Sequence, residues 1–298
     1  MEKCLAFVLG GGGARGALQV GALRALFEAG LKPDLLVGTS IGAVNATGLA
    51  KWGVDPDGVN ALEQAYREVA DSRLMDPRLA RLAMSIFSLH PNHHASRRMA
   101  EFFIAKGITP DLRFNQIHNT RLALIGADLD TGQIVIYGKD PKQSVLEGLL
   151  ASIALPPWFA PIEKDGHCIV DGGALSNLPI EPALKLGATE IIALDLDDPR
   201  KMLGSPNAQT QYMEKLINSI TQRQVTLEME LASARGVPVQ YVSLRSSPPV
   251  PIWDFKSHRE LINIGYETMQ QKISGYFQNF QLKPEPVLMN LRGEKQPA

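Results

Sequence analysis

The sequence predicts an α/β fold of three layers, α/β/α, with a mostly parallel central sheet, and three observations carry that expectation. Strand-like and helix-like stretches alternate along the chain. Two glycine-rich corners, Gly10-Gly11-Gly12-Gly13 and Gly38-Thr39-Ser40-Ile41-Gly42, each stand between a short apolar run and a helical pattern. Ile191 to Leu196 is apolar apart from Asp195, as expected of a parallel strand covered by helices on both faces.

The elements follow in order. Leu5 to Leu9 reads as the first strand, and after the glycines Leu18, Ala22, Leu26 and Phe27 share one helix face. Leu35-Leu36-Val37 is the second strand and Ile41 to Ala50 its helix. Asp55-Pro56 opens a helical region that runs to Lys106, with Ala61, Leu62, Ala65, Tyr66 and Val69 as its stripe. Within it, Arg78 to Leu89 puts Leu79, Leu82, Ala83, Ile86 and Phe87 on one face and basic residues elsewhere, the pattern of a helix docked on a core or of a lid. Arg121 to Ala127 and Gln133 to Tyr137 form a hairpin through Leu129-Asp130-Thr131-Gly132, which makes Asp128 and Asp130 turn formers. A helix from Lys142 to Ala151, a strand from His167 to Val170, a long helix from Gln209 to Ala234, a strand from Val239 to Leu244 and a helix from His258 to Phe280 complete the pattern. Residues 1–283 are expected to form a single domain, with 55–110 a helical lid-like insertion and 200–283 a helix-strand-helix extension; 284–298, with its scattered prolines, reads as a flexible tail.

Composition narrows the function classes. A chain of 298 residues, 45% hydrophobic and 20% charged, can bury a sizeable core, and a net charge of −1 gives no general attraction for nucleic acid. Cys4 and Cys168 both fall in apolar strands without metal-ligand spacing, so they read as structural thiols of a reducing compartment. The apolar run before the glycines is too short for a secretory signal, and no stretch approaches the roughly 18 apolar residues of a spanning helix. A cytoplasmic location is expected, with any membrane contact peripheral. His90, His93 and His94 invite a metal hypothesis, but Pro91 interrupts the helix that would align them, so neither metal nor cofactor is expected.

The chemistry gathers at the corners. Glycines permit tight turns and close approach of a ligand, and N–H groups at a helix start have no intrahelical partner. Ser40 between Gly38 and Gly42 at a strand-to-helix corner has the pattern of a nucleophile elbow. The backbone N–H groups of Gly11, Gly12 and Gly13, with that of Ile41, are candidate oxyanion donors across the crevice between neighbouring strands. A third corner, Asp171-Gly172-Gly173, follows the apolar run Cys168-Ile169-Val170.

The ordered set G-G-G-x-R-G, G-x-S-x-G and D-G-[AG] resembles that of the patatin-like phospholipases. The likeness extends through Ser152-Ile153-Ala154-Leu155-Pro156-Pro157-Trp158-Phe159-Ala160-Pro161, Asn177-Leu178-Pro179, Trp253-Asp254-Phe255 and Gly265-Tyr266. It implies a patatin-like fold and a serine acyl hydrolase of lipid esters that needs no calcium. It also implies a Ser–Asp dyad of Ser40 and Asp171 working through an acyl-enzyme, where a triad would use a histidine. No histidine stands at a strand end in a glycine or small-residue corner; the α/β-hydrolase order would require His258, in the charged stretch Lys256-Ser257-His258-Arg259-Glu260. Arg15 and Gly16 match the end of the family's glycine motif, which makes Arg15 a brace for the oxyanion turn.

Two other readings stay open. Gly11-x-Gly13-x-x-Gly16 also fits a dinucleotide fingerprint, although the second strand ends in Gly38-Thr39-Ser40 where an acid for the ribose is required, and Asp34 precedes it. A catalytically silent scaffold of the same fold is the other.

Overall fold

The computed structural model describes residues 3–72, 93–156, 158–196 and 208–279. An eight-stranded sheet is built from β1 (Leu5–Leu9), β2 (Leu35–Thr39), β3 (Arg121–Asp128), β4 (Gln133–Tyr137), β5 (Ile162–Lys164), β6 (His167–Asp171), β7 (Glu190–Asp195) and β8 (Val239–Ser243). Hydrogen bonding runs in the order β5-β6-β3-β2-β1-β7-β8, with β4 also paired to β3. The pairs from β3 across to β8 are parallel, and those involving β4, β5 and β6 are antiparallel. β1, β2 and β7 are buried along their whole length, which is why Leu5 to Leu9, Leu35 to Val37 and Ile191 to Leu194 read as apolar runs.

The helices are α1 (Gly16–Glu28), α2 (Ile41–Trp52), α3 (Pro56–Asp71), α4 (His93–Ala105), α5 (Val145–Ser152), α6 (Ile180–Lys185), α7 (Ala208–Ala234) and α8 (His258–Asn279). They cover both faces of the sheet. Phe7, Leu9, Leu36 and Leu124 pack with buried residues of α1 to α5 and α8, while Ala6, Val8, Leu35, Val37 and Ile125 pack towards α6 and α7. α1 and α8 approach backbone to backbone: a β-carbon on Gly21 would collide with the Ile262 carbonyl, and one on Gly265 with that of Leu18. The three-layer fold is as expected.

Differences are local. β2 extends two residues past its apolar run because Gly38 and Thr39 still pair with Leu124 and Ile125 of β3. α5 starts at Val145, where the Ser144 hydroxyl accepts from Glu147 N, since Gln143 is held in a turn by Gly138 N. β5 and α6 were too short to show a period. α3 begins as the sequence suggests, with Asp55 accepting from Asp57 N and Gly58 N, and it buries Val59, Leu62 and Tyr66 in the main core. The amphipathic stretch Arg78 to Leu89, His90 and the tail 284–298 lie outside the described residues.

Candidate active site

Strand register brings two of the corners together. Thr39 at the end of β2 pairs with Ile125 of β3, and Asp171 at the end of β6 pairs with the next residue, Gly126. β4 occupies the opposite edge of β3 over these residues, so β2 and β6 share one edge. β2 runs with β3 and β6 against it, and their carboxyl ends therefore meet head to head. Ser40 follows one end, and Asp171 closes the other.

Ser40 holds φ 56° and ψ −124°, a conformation that side chains other than glycine rarely adopt. Strain of this kind costs about 1–3 kcal/mol and persists where the surroundings impose it. Its neighbours impose it here, because a β-carbon on Gly38 would strike Gly42, and one on Gly42 would strike the Leu9 carbonyl. The Ser40 N–H donates to the buried Ser152 hydroxyl at 3.1 Å, and its carbonyl accepts from Ala43 N and Val44 N in the first turn of α2.

Asp171 is 3% exposed. Its Oδ1 accepts from Gly173 N at 2.8 Å, and its own N–H donates to the Ala154 carbonyl at 3.0 Å. Burial pushes its pKa up to about 6, against the opposing pull of the Ser40 hydroxyl and then of Gly173 N–H. Oδ2 makes no hydrogen bond of ordinary length and angle among the described residues, while the Ser40 hydroxyl lies near enough to draw the carboxyl pKa down. Gly172 is required beneath it, since a β-carbon there would meet the Ile125 carbonyl.

The glycine turn lies against Ser40. A β-carbon on Gly11 would stand 3.1 Å from Ser40 Cβ and 2.5 Å from Asn177 Oδ1. Of the three expected oxyanion donors in the turn, Gly11 is already committed, because its N–H donates to the Asn177 carbonyl at 3.0 Å. This corrects the sequence expectation. Among the described residues no acceptor pairs with the N–H of Gly12, Gly13 or Ile41. Arg15, 4% exposed, donates from Nε to the Gly12 carbonyl at 3.1 Å. The Gly12 carbonyl and the Gly13 N–H belong to one planar peptide, so pulling the oxygen towards Arg15 turns the N–H the other way. Gly16 leaves room for Ile41 and the Tyr66 hydroxyl, both of which a β-carbon would strike.

Several residues of the site carry no motif. Beneath the turn, Gln19 Nε2 donates to the carbonyls of Gly10 and Leu194 at 2.9 and 3.1 Å, and Asn45 Nδ2 donates to Gln19 Oε1 and the Gly16 carbonyl at 2.9 and 3.0 Å. The Tyr66 hydroxyl closes the network on Asn45 Oδ1 at 3.1 Å. A glutamine between Leu18 and Val20 in a wholly buried helical run was the available signal for it. Asn177 sits between Gly11 and Gly173, and Ser176 accepts from the Thr39 hydroxyl through its carbonyl at 2.9 Å.

Other candidates fall elsewhere. His93 and His94 are exposed at the start of α4. Asp128, Asp130 and His167 bring potential ligand atoms within 4.8 Å of one another. Their oxygens are engaged in the hairpin: Asp128 accepts from Asp130 N and from the Thr131 N–H and hydroxyl, and Asp130 Oδ2 accepts from Cys168 N. Two open clefts, about 630 and 650 Å³, are lined by residues such as Pro33 and Arg121, or Arg113 and Lys164, and contain neither Ser40 nor Asp171. The dinucleotide reading loses its acid, because Asp34 accepts from Leu5 N at the opposite, amino end of the sheet.

The family model described as patatin-like phospholipase matches residues 7–184. Human patatin-like phospholipase domain-containing protein 6 is 33% identical over 197 residues, which cover 64% of this chain and 13% of that protein. An uncharacterized NTE family protein of Mycobacterium bovis is 28% identical over 218 residues, 72% of this chain and 56% of its own length. The chain thus spans only a part of the curated relatives it matches. Among solved structures, human GIVD cytosolic phospholipase A2 aligns over 94% of this chain and 60% of its own with a TM-score of 0.56 at 13% identity, a likeness of fold.

Proposed function

The chain belongs to the patatin-like phospholipase family, and on that premise we propose that it hydrolyses carboxylic esters of lipids with Ser40 as nucleophile and Asp171 as its base. The observation that carries this reading is the head-to-head meeting of β2 and β6, which sets a strained serine against a buried carboxylate. The names of the relatives and of the structural neighbour, phospholipases, point to the same substrate class.

In the proposed cycle Ser40 Oγ attacks the ester carbonyl while its proton passes to Asp171, so that no free alkoxide forms. An ordinary carboxylate, with a pKa of ~3.9, is a weak base, and burial of Asp171 strengthens it. The oxyanion that develops is met by the N–H groups of Gly12 and Gly13, with Ile41 N–H at the start of α2 as a third donor. Asp171 returns the proton to the departing alcohol, leaving the acyl group on Ser40. Water, deprotonated by Asp171, then releases the acid and restores the serine.

The substrate is a phospholipid, lysophospholipid or acylglycerol, reached by peripheral contact with a lipid surface. No helix among the described residues is long and apolar enough to cross a membrane. The deciding experiment is labelling of the purified chain with a fluorophosphonate probe alongside turnover of a lipid ester panel. Ser40→Ala is expected to abolish both while leaving circular dichroism unchanged. Retention of most activity would reject Ser40, and a folded chain that neither labels nor turns over any ester would favour the silent scaffold.

A further inference from the structure

We propose that Glu228 is a positioning residue for this reaction, holding from α7 the segment 171–181 that fixes Asp171 relative to Ser40. The proposal rests on the reading of Ser40 and Asp171 given above. Glu228 lies on the face of α7 that turns to the sheet, and it is buried. Its Oε1 accepts from the Ser176 hydroxyl at 2.5 Å and its Oε2 from Glu181 N at 2.7 Å, in the first turn of α6. One helical turn earlier, Gln224 Nε2 donates to the Ala174 carbonyl at 2.8 Å. Two side chains at i and i+4 on α7 therefore grip the stretch between Asp171 and α6.

Ser176 is the node of this arrangement. Its N–H donates to the Gly172 carbonyl at 2.8 Å, which closes the turn after Asp171. Its carbonyl accepts from the hydroxyl of Thr39, the residue before Ser40. The next residue, Asn177, accepts the Gly11 N–H. The end of β2, the glycine turn and the Asp171 loop thus converge on two residues, and Glu228 anchors the first of them. Glu228 touches none of the reacting atoms.

Packing alone does not account for a carboxyl group here. Burial pushes the Glu228 pKa up to about 7, against the Ser176 hydroxyl and the N–H groups of Glu181 and Ile180; the nearby Glu181 carboxylate pushes it the same way as burial. Burying such a group is costly, and an apolar residue of similar volume is often as stable or better. What a carboxyl does here and an apolar residue cannot is bond at once to a hydroxyl on one segment and to backbone N–H groups on another. Displacement of a reacting group by about 1 Å can cost ~10²-fold in rate, so a fixed loop matters to turnover.

The test uses the full chain, p-nitrophenyl butyrate as a soluble ester, and the variants Glu228→Ala, Glu228→Gln, Ser176→Ala and Ser40→Ala. Glu228→Ala is expected to lower kcat by about 10- to 100-fold with KM within about twofold. It should also move the acid limb of kcat to higher pH, because a loosened loop weakens the Gly173 N–H bond that holds the Asp171 pKa down. Glu228→Gln should restore kcat to within about threefold: the amide oxygen can serve Glu181 N, and the amide N–H can donate to the Ser176 hydroxyl, which accepts as well as it donates. Ser176→Ala, a small change that spares the core, should show the same shift of the acid limb. An unshifted acid limb in Ser176→Ala overturns the proposal even if Glu228→Ala does not fold. Parental kcat and acid limb in folded Glu228→Ala overturn it directly, with Ser40 and Asp171 left standing. Hydrolysis by the parent that survives Ser40→Ala removes the nucleophile and this role together.

Discussion

The two sides of Ser40 are held by different chemistry. Beneath the glycine turn, Gln19, Asn45 and Tyr66 form a buried network of amides and a phenol, in which every bond joins neutral groups. On the other side, Asp171, in a segment tied to α7, and Glu228, on α7 itself, are buried carboxyls whose pKa values burial raises to about 6 and about 7. The donors to an oxyanion gain from a rigid, pH-indifferent mount, because their work is electrostatic and done by fixed dipoles. A base must titrate to be useful, and a group buried enough to titrate near neutrality makes its own surroundings pH-sensitive. On the proposed reading, the two requirements are met separately, on opposite flanks of one serine.

Asp171→Asn is expected to have the largest effect on that comparison, a loss of kcat on the order of 10⁴-fold or more, since it removes the only proton acceptor proposed for Ser40. His167→Ala and His258→Ala should stay within a few-fold of the parent. His167 pairs with Asp128 at the far end of β6, and His258 Nδ1 faces the Phe255 carbonyl at the start of α8. A folded histidine variant with background activity would transfer the base to an imidazole. In the parent, kcat should fall as pH drops through about 6, where Asp171 takes up its proton.

On the opposite flank, Gly12→Ala should lower kcat by about 10²–10³-fold with little change in KM, as expected for one oxyanion donor. The added β-carbon would come within 2.8 Å of Leu196 Cβ, so the turn must move. A change confined to KM would make the turn a binding element and erase the contrast between the flanks.

The frame and the corners were legible in the sequence, and the reasons are physical. β1 and the centres of β2 and β7 are buried on both faces and so read as apolar runs, while Gly38 and Gly42 are needed for close backbone approach and so stand out by residue type. The meeting of β2 with β6 was not derivable, because it depends on an antiparallel register between residues 126–128 and 169–171 that no local pattern encodes. Ser176 and Glu228 were hidden for a related reason. Each is an ordinary helical or loop residue in sequence, and only tertiary packing shows that it is buried and what it holds. The commitment of Gly11 N–H to Asn177 is of the same kind, a contact across 166 residues.

The ionisable flank should also leave its mark on stability. A carboxyl whose folded pKa is raised binds its proton more tightly in the native state, so its contribution is complete below the unfolded value and is lost as pH rises through the folded one. For Glu228 that window runs from 4.5 to about 7. Thermal or urea unfolding should therefore show Glu228→Gln gaining on the parent as pH rises from 5 to 8, by at most about 3 kcal/mol. A difference that stays constant across this range would mean that Glu228 keeps an ordinary pKa and that the two flanks are electrostatically alike.

The smallest effect is expected beneath the glycine turn, and it tests the neutral side directly. Gln19→Met keeps the volume and removes the amide, which leaves the Gly10 carbonyl without its side-chain donor and Asn45 Nδ2 without one of its two acceptors. The Leu194 carbonyl keeps Gly10 N–H. Leaving one buried acceptor unpaired costs about 1–3 kcal/mol. Because no participant titrates in the working range, that cost should be the same at pH 5 and pH 8, unlike the Glu228→Gln difference. Arg15 still grips the Gly12 carbonyl from the other side, so kcat should fall by less than about tenfold, well short of Gly12→Ala. Unfolding curves at the two pH values, measured beside those of Glu228→Gln, make the check. A Gln19→Met cost that grows or shrinks with pH as steeply as the Glu228→Gln difference would show that the turn is coupled to the carboxyls, and the division between a rigid neutral flank and a titrating one would fail.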